Sequence, residues 1–378
     1  MLAVRSTLDK MLALKPARAK VGPIGMDIGA SSINLCQLKQ RSEHGYSVLA
    51  KASIPFGEAR SELLTSPKRL KKLLAQGMEK KGFSNRKVVA VMPPDKLKIT
   101  PVTYKSNVAD AGQEILKMLG GRLEGDIEDY IIDYLPVRSN AHDDEHLALA
   151  TVARRDDVME YLQALTQAGF IVEALDVGPA ALRRLISSLY VDEPAETVLV
   201  VNAGIDTTYL TVISGRRLLF DQPIAFGEHA LLQDLSNALE LPPSVCRELV
   251  FRHGMKPPSA GSMGLDMMQD SDYSQAILEI LKPAFLKMVE EINRVMIFTA
   301  SETHGRPVSQ IILLGGLARW PGSDAMLREL INIPLSSIKD SFDNIFEDQS
   351  ETGSRWSDQV PELAVATGLA LRGLMDNG

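Results

Sequence analysis

The chain has 378 residues, with 41 Lys and Arg against 48 Asp and Glu for a net charge of −7, and is 45% hydrophobic and 24% charged. That length exceeds one ordinary domain and supplies core for a two-lobed protein, while the acidic balance argues against a surface that tracks nucleic-acid phosphates. Cys36 and Cys246 fall in strand and helix contexts and suggest neither a disulfide framework nor a zinc cluster; with no membrane-length apolar run and no secretory leader pattern, a cytoplasmic location is expected.

Residues 1–20 interleave Leu2, Val4, Leu8, Met11, Leu12 and Leu14 with Arg5, Lys10, Lys15, Arg18 and Lys20. This basic extension reads as a frayed terminus, the alternative being a short amphipathic helix that touches anionic lipid. Pro23 to Leu35 then predicts an apolar strand, a small-residue turn and a returning strand. Asp27, at the strand end, can hold a metal through water; Gly29 and Ala30 admit an anion close to the backbone, and Ser31 and Ser32 can turn amides and hydroxyls toward its oxygens. Taken alone, a plain hairpin accounts for the segment equally well. Strands over Ile24 to Ile28, Ile33 to Lys39 and Tyr46 to Ile54 make a meander. A Lys- and Leu-rich helix follows from Pro67 to Gly82 with a solvated cationic face, and Val88 to Met92 reads as a strand buried on both faces.

At Pro93-Pro94 the chain leaves for an inserted α+β subdomain, expected over 94–173. Within it, Ala109 to Leu123 and Asp156 to Ala168 read as helices, Gly169 ending the second, and Tyr130 to Leu135 and His146 to Ala153 as strands. Between the strands, His142 and His146 with Asp143, Asp144 and Glu145 imitate a metal site, but no second ligand pair fixes a geometry and solvated turn residues are the expectation. A helix over Asp176 to Leu189 returns to the first lobe, whose core is expected over 21–93 and 174–196.

Val198 to Val212 repeats the earlier scheme: apolar strand, Asn202, Gly204, the hydroxyl pair Thr207 and Thr208, and a returning strand. The chain therefore contains two related halves. Gly227 opens a helix toward Leu239, and Ser244 is read as the N-cap of the next. Lys256 to Ser274, rich in Gly, Pro, Ser and Met, reads as a mobile loop in which Met263, Met267 and Met268 fill space or form an adaptable contact patch. From Gln275 to Ser301 apolar residues recur at helical spacing. Ile311 to Gly322 is a buried strand running into Gly315 and Gly316, where a flat ring can lie on bare backbone. Ser336 to Gln359 is polar and acidic and is expected as a loose surface loop. The second-lobe core is expected over 197–227 and 291–360, its helical subdomain over 228–290, and a closing helix over 361–378.

Two phosphate turns followed by a Gly-Gly turn resemble the actin, Hsp70 and sugar-kinase superfold. More narrowly, Val88 to Pro93, Asp133-Tyr134, Ala148 to Asp156, Ala168 to Phe170, Ala174 to Val177 and the ending Pro361 to Arg372 resemble the type IV pilus assembly protein PilM family, relatives of the divisome protein FtsA. The resemblance covers nearly the whole chain after residue 20. It implies an α/β, two-lobed actin-like ATPase fold with duplicated sheet halves and an FtsA/PilM-type inserted subdomain. It also implies a site for ATP or ADP with magnesium, formed by Asp27 (the metal residue), Gly29, Ala30, Ser31, Ser32, Asn202, Gly204, Thr207, Thr208, Gly227, Arg247, Gly315 and Gly316. The implied partner is the cytoplasmic N-terminal peptide of a PilN-like inner-membrane protein, held in a groove beside the insert whose residues the sequence does not assign. Other pilus alignment and motor proteins are implied as further partners, self-association is allowed, and the membrane is reached only through a partner.

Several residues depart from the family pattern. Asn202 stands where an acid is usual, Leu317 and Arg319 follow the Gly-Gly turn and crowd a purine, and Cys246, Arg247 and Val250 fall where polar ribose contacts are usual. Glu228 directly after Gly227 repels a phosphate unless its side chain turns away. No Glu or Gln is placed to direct water at a γ-phosphate, and no nucleophile with a base is recognisable. The expected function is a scaffold with weakened nucleotide binding and little or no hydrolysis. The alternatives are a sugar or metabolite kinase of the same superfold and an FtsA-like or GspL-like membrane-associated assembly protein.

Overall fold

The computed structural model describes residues 20–41, 45–105, 110–138, 145–190, 196–255, 265–303, 305–336, 338, 342, 346–348 and 356–375. The basic extension over 1–19, His142, Asp143 and Asp144, and Met263 lie outside the described residues, as do the side chains of Glu145, Met267 and Met268.

The apolar N-terminal runs form β1 (Val21–Ile28), β2 (Ser32–Gln40) and β3 (Tyr46–Pro55), an antiparallel meander, and helices Arg60–Leu64 and Pro67–Met78 lead to β4 (Lys87–Val91), which lies parallel to β1. The chain then departs into β5 (Leu97–Lys105), helix Ala111–Gly120, β6 (Tyr130–Arg138) and β7 (Glu145–Arg154), an antiparallel three-stranded sheet in the order β5-β7-β6. Asp110 caps the helix by accepting from the Gln113 amide at 3.2 Å, and Ile115 and Leu119 pack on Val102, Tyr104, Ala148, Ala150 and Val152. β5 was not legible as a strand because it is a sheet edge that carries Pro101 and buries only Val102 and Tyr104.

Helix Arg155–Gln167 turns Val158, Tyr161 and Leu165 into the core beneath the first sheet. β8 (Ile171–Asp176) then pairs with β4, so the expected boundary at 173 falls inside a strand of the first sheet. Helix Gly178–Leu189 leads to β9 (Thr197–Ala203), β10 (Thr208–Ser214) and β11 (Arg217–Ile224), followed by helices Glu228–Leu239, Pro243–His253 and Leu265–Glu302. The long helix begins within the segment read as a loop, and the expected boundary at 291 lies inside it. Pro242, not Ser244, is the N-cap of Pro243–His253; Pro243 at its first position supplies a preset φ.

β12 (Gln310–Gly315) and β13 (Leu335–Ser336) complete the second sheet in the order β11-β10-β9-β12-β13. Val198, Leu199, Val200 and Val201 are buried because β9 is central, antiparallel to β10 and parallel to β12. The polar stretch after 336 also contributes to the first sheet. Ile338, Phe342 and Phe346 recur every fourth residue and are buried, and β14 (Phe346–Asp348) pairs with β3, stacking Phe346 on Tyr46 at 5.8 Å and on Phe342 at 4.7 Å. The first sheet thus runs β14-β3-β2-β1-β4-β8.

Helix Trp356–Arg372 closes the structure, with Leu363, Ala364, Ala366, Leu369, Ala370 and Leu371 buried. It meets β1 backbone to backbone: a Cβ on Gly25 would overlap the Ala366 carbonyl, and one on Gly368 would overlap the Ala181 carbonyl of helix Gly178–Leu189. Gly25→Ala is expected to cost at least about 3 kcal/mol, the upper end of core overpacking, because backbone cannot swing aside. Gly57→Ala, with open space around it, should stay within about 0.5 kcal/mol of the parent. Chemical denaturation of both variants measures the contrast.

Candidate functional site

The two turns predicted to hold phosphates have the same hydrogen-bonded frame. In the first, Ile28 pairs with Ile33 and the Gly29 amide donates to the Ser32 carbonyl at 2.9 Å; in the second, Ala203 pairs with Thr208 and the Gly204 amide donates to the Thr207 carbonyl at 3.1 Å. Asp27 therefore corresponds to Asn202, Ala30 to Ile205, Ser31 to Asp206 and Ser32 to Thr207. This register shows a departure that the sequence reading missed. Asp206 places a carboxylate at the tip of the second turn, where it meets His229 Nδ1 at 3.2 Å. Thr208, expected to face phosphate, corresponds to strand residue Ile33; it is fully buried and its hydroxyl donates to the Phe226 carbonyl at 2.8 Å.

Asp27 lies opposite Asn34, which accepts from the Ser53 hydroxyl at 2.8 Å. Burial pushes the Asp27 carboxyl up to about 6, opposed by the Arg60 guanidinium and by a hydrogen bond from Asn34. Arg60 donates to the Ile28 carbonyl at 3.3 Å and pairs with Asp95 in the short turn Pro94–Lys96, where the insert departs. Lys96 in that turn holds Asp157 of helix Arg155–Gln167 at 2.8 Å. On the same helix the buried Tyr161 hydroxyl has no hydrogen-bond partner, and desolvation with the nearby Asp27 charge raises its pKa. Tyr209 of the second sheet feels both Arg60 and Asp95, so the two halves approach one another at this point.

At the other end, Gly315 (φ 81°) packs on the Ala203 carbonyl, and Gly227 lies against the Ile205 carbonyl with no room for a Cβ at either position. The Glu228 and His229 amides donate to the Gly204 and Ile205 carbonyls at 3.2 and 2.8 Å, so the start of helix Glu228–Leu239 is spent on the second turn. The Glu228 side chain has turned to the Gly-Gly turn: it is 6% exposed, a Cβ at Gly316 would coincide with its Oε1, and Arg247 Nη2 meets its Oε2 at 2.6 Å. Burial raises its pKa, Arg247 opposing, and the Trp320 indole N–H lies near without reaching hydrogen-bond geometry. Leu317 does not crowd this space, since it is fully buried in the core. Cys246 and Val250 also face the core, and Arg319 pairs with Glu362 of the closing helix. Among the described residues no three His, Cys, Asp or Glu side chains group as a metal site.

A groove of about 1010 Å³ opens elsewhere, and none of the phosphate-turn residues lines it. Its walls come from β6 (Ile131, Asp133, Leu135), β7 (Thr151, Ala153), the end of β8 with Val177, helix Gly178–Leu189 (Ala180, Arg183, Arg184, Ser187), the hairpin residue Arg216, and Arg372, Leu374 and Met375. β6 and β8 are the terminal strands of different sheets. Ile131 and Met375 remain 39% and 37% exposed on its walls. Asp176 fixes the base: it accepts from the Val177 amide at 2.8 Å and pairs with Arg184 and with Arg372, the latter at 3.0 Å, while Arg184 donates to the Gly368 carbonyl at 2.9 Å.

Because the folded Asp27 carboxyl titrates near 6, above its unfolded value near 3.8, its contribution to stability is full below the unfolded value and is lost as pH rises through the folded one. Asp27→Asn is therefore expected to be about 1–3 kcal/mol more stable than the parent at pH 7.5, the gain shrinking toward pH 5. Thermal unfolding across that range checks it.

The family described as type IV pilus assembly protein PilM matches residues 25–374. A solved structure described as a PilM-PilN type IV pilus biogenesis complex is 20% identical with a TM-score of 0.72, covering 94% of this chain and 99% of that one. Ethanolamine utilization protein EutJ from Carboxydothermus hydrogenoformans is 12% identical with a TM-score of 0.49, covering 93% of this chain and 91% of that one. MreB 5 of Spiroplasma citri bound to AMPPNP is 14% identical with a TM-score of 0.47, covering 85% and 92%. The fold is the two-lobed actin-like one, and with a family match running from β1 through the closing helix, the chain belongs to the PilM family of type IV pilus assembly proteins.

Proposed function

We propose that the chain is a cytoplasmic, actin-like scaffold of a type IV pilus inner-membrane assembly complex, and that the groove between β6, β8 and helix Gly178–Leu189 captures the N-terminal cytoplasmic peptide of a PilN-like membrane protein. The observation that carries this reading is the pair of sheet edges. Two terminal strands from different sheets meet at one groove, β6 along Ile131 to Leu135 and β8 with its end at Leu175 and Asp176; the Leu175 carbonyl is taken by Arg372, so β6 is the edge left for a peptide. An extended peptide gains affinity from the main-chain groups of such an edge and specificity from side-chain pockets. Among the described residues no helix is long and apolar enough to cross a membrane, and the partner supplies that contact.

Nucleotide binding in this reading is weak. The phosphate end fits in part, since both turns keep their glycine-closed frames, but Asp206 adds a negative charge to one of them. Asp27, with its raised carboxyl and neighbouring Arg60, is a poor magnesium residue. The base end does not fit, because the Glu228 carboxylate lies on Gly316. No observation favours the kinase reading.

Ile131→Asp is expected to weaken capture of a PilN-like N-terminal peptide at least about tenfold, or 1.4 kcal/mol, with Phe251→Ser, equally exposed on the second lobe, unaffected. Calorimetry that finds both variants equal to the parent moves the interface elsewhere. Glu228→Ala should tighten ATP binding by about tenfold or more, measured by displacement of a fluorescent analogue. Tight binding by the unaltered protein, with phosphate release at about one per second or faster, overturns the weak-site reading.

A further inference from the structure

The groove is cationic on an acidic protein. Among the described residues its charged lining consists of Arg183, Arg184, Arg216 and Arg372 against Asp133 and Asp176, whereas the whole chain carries −7. Asp176 is already shared by Arg184 and Arg372, and each of those also donates to a backbone carbonyl, so that group is satisfied internally. Asp133 accepts from the neighbouring Tyr134 amide at 2.8 Å.

Arg183 and Arg216 are left over. Among the described residues neither has a carboxylate within ion-pair distance. The Arg183 side chain donates one Nη to the Arg216 carbonyl at 3.0 Å, while its Nε is buried with no partner. Desolvation weakens its hold on its proton, the Asp176 charge opposing. A half-buried guanidinium whose Nε is enclosed without an acceptor gains when a complementary acceptor arrives. Arg216, exposed at the β10–β11 turn, offers Arg183 its carbonyl and lines the same groove. The two guanidinium groups come from different lobes, and the contact is reinforced by the Ser187 hydroxyl donating to the Gly215 carbonyl at 3.2 Å.

We propose that the peptide taken by this groove carries an aspartate or glutamate side chain that docks against Arg183 and Arg216, with apolar residues on Ile131, Leu135 and Met375. The inference rests on the peptide-capture reading above and adds the chemistry of the partner. A carboxylate satisfies the Arg183 Nε by a charge-assisted hydrogen bond, and Arg216 adds attraction at the rim. Because the two arginines belong to the helix after β8 and to the second-lobe hairpin, the acid also fixes the register of the peptide along the groove.

The test uses the full chain and a displayed library of random twelve-residue peptides, followed by synthetic versions of the strongest binder that depends on Ile131. Expected are enrichment of one acidic position, a loss of about tenfold or more when that acid becomes its amide, and weakening with added salt. Arg216→Gln and Arg183→Gln should each lose part of that dependence, and Arg216→Glu should be rescued by a lysine at the acidic position. Arg216 is exposed, so its variants test the idea even if Arg183→Gln fails to fold. Peptides that require Ile131 yet bind equally as acid and amide, or whose acid dependence persists in both Arg216 variants, overturn this inference and leave peptide capture standing. Absence of any Ile131-dependent peptide overturns both.

Discussion

The close approach of the closing helix to β1 is the contact on which the other features depend. With no side chain at Gly25 or Gly368, the Ala366 and Ala181 carbonyls sit against bare Cα atoms, and helix Trp356–Arg372 is pressed on the first sheet and on helix Gly178–Leu189 together. Its Glu362 reaches Arg319 after the Gly-Gly turn, and its Arg372 reaches Asp176 at the base of the groove. One helix therefore sets the position of β1 and the turn after it, the Gly-Gly turn at residues 315–316 and a wall of the groove. Each contact alone is modest, but a shared rigid element makes them move together.

The phosphate turns and the groove differ in how their charges are satisfied. Around the two turns, Glu228 and Arg247 pair with one another over Gly316, and Arg60 stands beside Asp27. In the groove, the ion pairs centre on Asp176, and among the described residues Arg183 and Arg216 meet no carboxylate at ion-pair distance, the Arg183 Nε being buried without a partner. A site whose charges are internally paired resists a charged ligand, because binding must first break a short contact. A site with an unpaired buried donor is relieved by one.

The halves were legible because the turn signature of small residues and hydroxyls recurs between strongly apolar strands, and that pattern survives the change from Asp27 to Asn202. The departure at Glu228 was also legible, although its destination was not: that the carboxylate turns onto Gly316 depends on the path between helix Glu228–Leu239 and β12. Leu317 shows the limit of reading by adjacency, since the residue after the glycines points into the core. β14 was hidden because its apolar residues are diluted in an acidic stretch, though the spacing of Ile338, Phe342 and Phe346 was visible. The groove could not be read at all, because its walls come from segments near 131, 151, 176, 216 and 372 that only the fold assembles.

The pairing of β14 with β3, together with the seat of the closing helix on Gly25, has a consequence for synthesis on the ribosome. The first sheet is begun by β1 but receives its outer strand from residues 346–348 and its covering helix from residues 356–372. An emerging chain that has completed β1 through β8 still exposes the bare face of β1 and the open edge of β3. The first lobe reaches its final core only after the second has been made, which ties the two lobes into one late cooperative step and leaves an interval in which unpaired strand edge must be kept from other chains.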